Sequence, residues 1–298
     1  MGRQVVGAEQ VLLPALADLA GHVIWRAHAR VSAAIESVLP ENLDIHAYAA
    51  LVALGDGVAR SQQDLARTVS VSRTTIMRVA ADLAERGLVQ RVRNPDDRRS
   101  YLLTRTSHGA LAARTWRRHV DELEASVVAG LTPRQRDDLH SLLAKVVGPE
   151  LAPDTPDALR DSIGFLVARL HTPMKSDFAA ALAPIGIEPP HVGILAALRA
   201  TGPVSQSEMS RIFAVSGAHM VQLVDELEAR GLVERRRRPT DRRAQVLHLL
   251  PGATDTLDRA MPLAAAVVAD RLAPLTEAQS ERLLVLLRRL ITTSSGAG

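Results

Sequence analysis

Arginine is the residue type whose placement points to chemistry in this chain. Five arginines fall between Arg86 and Arg99 and seven between Arg230 and Arg243. With Asp96 and Asp97 the first stretch is net +3; with Glu234 and Asp241 the second is net +5. The whole chain carries only +3, so everything outside these stretches sums to −5. A guanidinium is charged at every accessible pH and donates in a planar fork that matches phosphate and guanine edges. Positive charge gathered on two segments of an otherwise acidic chain suits a polyanion that offers two matching grooves.

The elements that carry these arginines occur twice. Ser72 to Arg99 reads SRTTIMRVAADLAERGLVQRVRNPDDRR, and 144 residues later Ser216 to Arg243 reads SGAHMVQLVDELEARGLVERRRRPTDRR. From Ser61 to Arg99 against Ser205 to Arg243, 16 of 39 positions are identical. The period is too long for a solenoid, whose units run about 20–50 residues. Each copy holds an amphipathic helix, an Arg-Gly-Leu-Val corner, a basic strand, a turn with Pro and Asp, and Arg-Arg. A helix feeding a basic hairpin can enter a major groove while the hairpin tip reaches backbone or minor groove.

Periodicity places the rest. Apolar residues at helical spacing predict one long helix over 13–38, with Pro14 in its first turn and Pro40 beyond its end. A second helix covers 45–54. Ser61 and Ser72 are placed as N-caps of the third and fourth helices, a role that competes with phosphate contact for Ser72 and Ser216. Ile76, Val79, Ala80 and Leu83 share the inner face of the fourth helix, as do Met220, Leu223, Val224 and Leu227 in the copy. The outer faces carry Arg73, Thr74, Thr75 and Arg78 against Gly217, Ala218, His219 and Gln222. Strands 89–93 and 100–104 flank the hairpin tip. Helices follow over 107–129 and after the capping box at Thr132. Residues 148–157, GPELAPDTPD, read as a linker.

Other chemistry is sparse. There is no cysteine, hence no disulfide, thiol redox switch or Cys-ligated zinc. Ten histidines form no compact ligand pair, so no metal is expected. No phosphate-binding glycine loop, nucleophile elbow or H-E-x-x-H is present, so no catalytic residue and no cofactor are expected. Neither a signal peptide nor a long uncharged apolar run occurs, which points away from the membrane and to the cytoplasm.

The helix-turn-helix, then D-L-x-x-R-G-L-V-x-R (Glu226 replacing the first Asp in the second copy), then D-R-R, with long helices at both ends, resembles the MarR family of transcriptional regulators. The resemblance implies a mainly α fold with small β wings. It implies two winged helix-turn-helix domains plus long helices forming an intramolecular dimerisation region, a single-chain pseudo-dimer. The copies would span 1–147 (winged helix about 44–106) and 158–298 (about 188–250). The implied partner is double-stranded operator DNA, contacted by Ser72, Arg73, Thr74, Thr75, Arg78, Arg91, Arg93, Arg98 and Arg99 in copy one. Ser216, His219, Gln222, Arg235, Arg236, Arg237, Arg238, Arg242 and Arg243 would do so in copy two. Arg98 and Arg242 would be wing-tip residues for the minor groove. A small aromatic or lipophilic effector is also implied, with His22, Trp25, His28 and His46 as candidate contacts; a packed or solvated helix face is the competing reading of these four.

The copies differ where recognition would occur. Copy one offers two Arg and two Thr on the outer helix face, and copy two offers none of these. Copy two has instead the run Arg235 to Arg238. The expectation is that copy one supplies more of the base readout and copy two more of the phosphate attraction, over an imperfect palindrome. Pro173 and Pro262 lie inside helices of copy two, where copy one has Ala29 and Arg118. The alternative function is an architectural or protein-interaction protein with non-specific DNA binding.

Overall fold

The structure, a computed structural model, describes residues 14–55, 57–95, 97, 100–213, 215–238 and 241–292, apart from the side chains of Ala15, Arg238 and 241–244. The chain divides into two compact units. One runs from His28 to Leu170. The other joins the residues up to Ala27 with those from His171 onward.

The first copy begins with α1 (Pro14–Ala17) and α2 (Ala20–Val38). The single helix expected over 13–38 is therefore broken. Leu19 donates to Leu16 O at 3.2 Å, an i−3 bond that tightens and ends the first turn before α2 starts. Then follow α3 (Ile45–Ala53), β1 (Ala59–Arg60), α4 (Gln62–Thr68), α5 (Arg73–Glu85), β2 (Val89–Arg93), β3 (Tyr101–Arg105), α6 (Ser107–Val127), α7 (Pro133–Val147) and the short α8 (Asp157–Arg160). The second copy repeats the order as α9 (Ile163–Leu182), α10 (Pro189–Thr201), β4 (Val204–Ser205), α11 (Gln206–Phe213), α12 (Gly217–Ala229), β5 (Val233–Arg238), β6 (Asp241–Leu249), α13 (Pro251–Leu272) and α14 (Glu277–Thr292). Pro173 and Pro262 do lie inside α9 and α13. Among the described residues no single helix is long and apolar enough to cross a membrane.

Each copy forms a three-stranded antiparallel sheet with the returning wing strand at its centre, β1-β3-β2 and β4-β6-β5. The registers match across the copies: Arg91 opposes Leu103, and Arg235 opposes Leu247. Beneath the first sheet, Leu51, Leu65, Ile76, Val79, Leu83, Leu88 and Leu103 form a core closed by Trp116 of α6. The second core uses Leu195, Met209, Phe213, Met220, Leu223, Leu227 and Leu247, and adds Leu16, Leu19 and Trp25 from the start of the chain.

The segment read as a polar linker is half interior. Leu151, Ala152 and Thr155 are buried. Thr155 Oγ1 donates to Thr68 O at 3.0 Å, Asp154 takes an ion pair from Arg60, and Arg160 donates to Ala152 O and Thr155 O at 2.7 and 2.8 Å. The Arg60 guanidinium holds the Asp154 carboxyl below the usual carboxylate range. Side chains thus tie this segment to α4.

The start of α6 packs close against the wing. Thr106 caps the helix, and its amide and Oγ1 both donate to Leu88 O, at 3.1 and 3.2 Å. A Cβ on Gly109 would lie 2.0 Å from that carbonyl. The second copy has Ala253 there, but no side chain caps α13; only the Leu250 amide reaches Leu232 O. Gly109→Ala should therefore force Leu88 away from Thr106 and destabilise the 28–170 unit by about 1–3 kcal/mol. Urea unfolding of the full chain would show it as a lowered midpoint.

Candidate nucleic-acid interface

The helix α5 exists because its ends and inner face are satisfied. Ser72 Oγ accepts from the Thr75 amide at 3.0 Å and shares a 2.8 Å hydrogen bond with Thr75 Oγ1. Ile76, Val79, Ala80 and Leu83 face the core. What remains outward is Arg73, Thr74, Met77, Arg78, Ala81, Asp82 and Glu85, all exposed. Thr75 is drawn into the cap, and Met77, 52% exposed, takes a place on the outer face that the sequence reading did not give it. Its counterpart Val221 is also exposed.

Two of these cations differ in their surroundings. Arg78 donates to Asp44 Oδ2 at 2.8 Å. Burial alone would raise the Asp44 carboxyl, but bonds from Arg78 and the His46 amide hold it below the usual range. Arg73 has no partner among the described residues. It lines a concavity of about 390 Å3 with Ser61, Gln62, Gln63, Arg91, Tyr101 and Leu103. Arg91 and Arg93 of β2 are exposed and also unpartnered among the described residues. Arg98 and Arg99 lie outside the described residues. Gln62, Gln63 and Tyr101 are additions to the candidate face; the clue was their spacing from Ser61 and from the hairpin register.

The second copy builds the same frame. Ser216 Oγ accepts from the His219 amide at 3.2 Å, and Met220, Leu223, Val224 and Leu227 are buried. Gly217, Ala218 and His219 are exposed, and Gln222 donates to Glu226 at 3.2 Å. Arg235 is held by Asp225 and Glu228, and Arg236 by Glu234. Arg237 is exposed. Arg238, Arg242 and Arg243 lie in the strands, with side chains outside the description. Behind α12, buried His191 accepts the Glu188 amide on Nδ1 and bonds Glu226 through Nε2, both at 3.0 Å. Burial, then Arg230, lowers its pKa.

His22 and Trp25 meet Phe213, with ring centroids 5.4 and 6.3 Å from it. His28 and His46 belong to the 28–170 unit, where the His46 amide donates to Asp44 at 2.8 Å. His22 Nε2 is buried without a partner among the described residues. Beside it, Arg26 is buried and donates to Ile212 O at 2.6 Å.

A family model for the MarR family matches residues 41–100 and again 185–244. The uncharacterized transcriptional regulator YkoM of Bacillus subtilis is 30% identical over 105 residues, which are 35% of this chain and 68% of its own. The chain belongs to the MarR family. The HTH-type transcriptional repressor NicR of Pseudomonas putida is 28% identical over 158 residues, 52% of this chain and 100% of its own. A solved probable transcriptional regulator from Pseudomonas aeruginosa is 31% identical and covers 44% of this chain and 98% of its own, with a TM-score of 0.42. The two matches of the family model, and that of full-length NicR to about half of this chain, fit two tandem MarR-type winged helix-turn-helix copies.

Burial, and then the nearby Arg26 charge, push the His22 pKa down from 6.5 to about 3. Between those values the unfolded chain binds a proton that the folded chain refuses. Stability is then full above pH 6.5 and falls as pH drops toward 3, by at most about 1.4 kcal/mol per unit. Thermal melts at pH 7 and pH 5 should show a lower Tm at pH 5, and His22→Gln should narrow that gap.

Proposed function

We propose that this MarR-family protein is a sequence-specific DNA-binding transcriptional regulator, a repressor acting as a single-chain pseudo-dimer on an imperfect palindrome. The observation that carries it is α5, whose inner face is buried while Arg73, Thr74, Met77 and Arg78 stand outward, with Arg73 beside Arg91, which has no partner among the described residues. A capped helix with an Arg at its first position suits base readout, since Arg bonds guanine O6 and N7 in pairs. The wing arginines suit phosphate, which positions without specifying sequence. The pseudo-dimer reading draws support from the two copies of the winged-helix sheet within one chain. The family resemblance adds release from DNA by a small aromatic or lipophilic effector.

A second reading, non-specific or architectural binding, draws on the outer face of α12, where Gly217 and Ala218 offer no side-chain hydrogen bond to a base edge. The two separate by competition. Fluorescence anisotropy on fragments flanking the protein's own gene, at about 150 mM salt with excess random duplex, should find one fragment bound at one chain per site. Equal displacement from every fragment would favour the architectural reading. On the bound fragment Arg73→Ala should cost about 1–3 kcal/mol of discrimination over random duplex. Arg91→Ala should weaken all duplexes alike and reduce the salt slope by about 0.9.

A further inference from the structure

The two winged helices differ more in electrostatics than in shape, and the difference centres on one arginine. Arg91 and Arg235 occupy the same register, opposite Leu103 and Leu247. Arg91 is exposed beside Arg73 in a polar concavity. Arg235 is folded back onto α12, its side chain only 17% exposed. Its Nη2 lies 2.7 Å from Asp225 Oδ1, and its Nη1 pairs with Glu228 Oε2. Its Nε donates to Gln206 Oε1 at 3.1 Å, and its amide to Glu228 Oε1 at 2.8 Å. The positions of Asp225 and Glu228 are Ala81 and Ala84 in the first copy. The network therefore has no counterpart there.

The neighbouring charges follow the same course. Glu234, which pairs with Arg236, replaces Gln90. Over Ser72 to Arg93 five Arg face Asp82 and Glu85, net +3; over Ser216 to Arg237 four Arg face Asp225, Glu226, Glu228 and Glu234, net zero. Two arginines of the run that looked like a phosphate attractor, Arg235 and Arg236, are paired with acids on its own helix and strand.

We propose that Asp225 and Glu228 are internal counter-ions that withhold Arg235 from DNA and set the second winged helix as the weaker half of the interface. A phosphate reaching Arg235 must displace two carboxylates, and one of them, Asp225, is itself 59% exposed on the approach. Like charges brought together across an interface are costly. Overall affinity is then set by Arg73 and Arg91 of the first copy. The inference rests on the DNA-binding reading above.

The test uses the full chain and a fluorescein-labelled 30-base-pair duplex of random sequence, titrated from about 50 to 200 mM salt. Asp225→Ala with Glu228→Ala, the first copy's own residues, should tighten binding about tenfold and steepen the salt slope by about 0.9, one more phosphate neutralised. Asp225→Asn with Glu228→Gln keeps size and hydrogen bonding and should act in the same direction, which covers a poorly folded alanine pair. The reverse transplant, Ala81→Asp with Ala84→Glu, should loosen binding and flatten the slope. Asp270→Ala with Glu281→Ala removes the same charge from exposed sites on α13 and α14, and should change Kd less than about twofold. An unchanged slope in both acid-removal pairs, or equal tightening in the α13–α14 control, overturns the proposal while leaving the DNA reading standing. Absence of any duplex binding by the parent chain at 50 mM salt sinks the DNA reading and this inference with it.

Discussion

Recognition helix and wing are joined in each copy through one glycine in the left-handed region. Gly87 and Gly231 both have φ +67. Gly87 donates to Ala84 O and Leu88 to Leu83 O, while Gly231 donates to Glu228 O and Leu232 to Leu227 O. These two nested bonds close the last carbonyls of α5 and α12 and turn the chain sharply into β2 and β5. A side chain there would meet the left-handed penalty of about 1–2 kcal/mol. The corner also aims the strand so that Leu88 and Val89, or Leu232 and Val233, enter the core. Wing register, the position of the basic residues and the seat of α6 or α13 on the wing all follow from that turn.

Given one frame, the copies are free to differ on its surface. Copy one leaves Arg73, Arg91 and Arg93 without partners among its described residues, whereas copy two surrounds Arg235 with carboxylates. Neither arrangement disturbs the core, because the acids sit on the outward turns of α12. Inside, copy two carries larger side chains, Leu223 for Val79 and Val224 for Ala80, with Phe213 for Val69. Gly193 takes the place of Ala49 next to that phenylalanine, and a Cβ there would come within 2.7 Å of its ring. Volume added at one position is matched by volume removed at its neighbour.

Much of the frame was legible from residue order. The first wing strand, the Ser72 and Ser216 caps and the capping box at Thr132 rest on local hydrogen bonding, which a short window of sequence contains, whereas the two-residue strands β1 and β4 went unread. The break at Asp18 and Leu19 was not, because apolar spacing continues through it while the backbone tightens. The segment 148–157 reads as polar, yet Leu151 and Thr155 are interior, a burial that depends on Arg60 and Thr68 about 90 residues earlier. At the candidate interface the outer face of α5 could be read from its period, except that Met77 was passed over because an apolar residue reads as core. The net charge of each copy could not be read from its hairpin alone, since Arg235 is answered by acids on the preceding helix. Asp225 and Glu228, three apart on one face, were the available sign.

The division of the chain into units has a consequence for its birth. The core that holds Leu51, Ile76 and Leu103 draws its side chains from residues between Leu39 and Phe165. Leu16, Leu19 and Trp25 come earlier still, but the core that covers them is made of residues from Leu182 to Ala260. Leu16, Leu19 and Trp25 thus precede the residues that cover them by the length of the whole 28–170 unit.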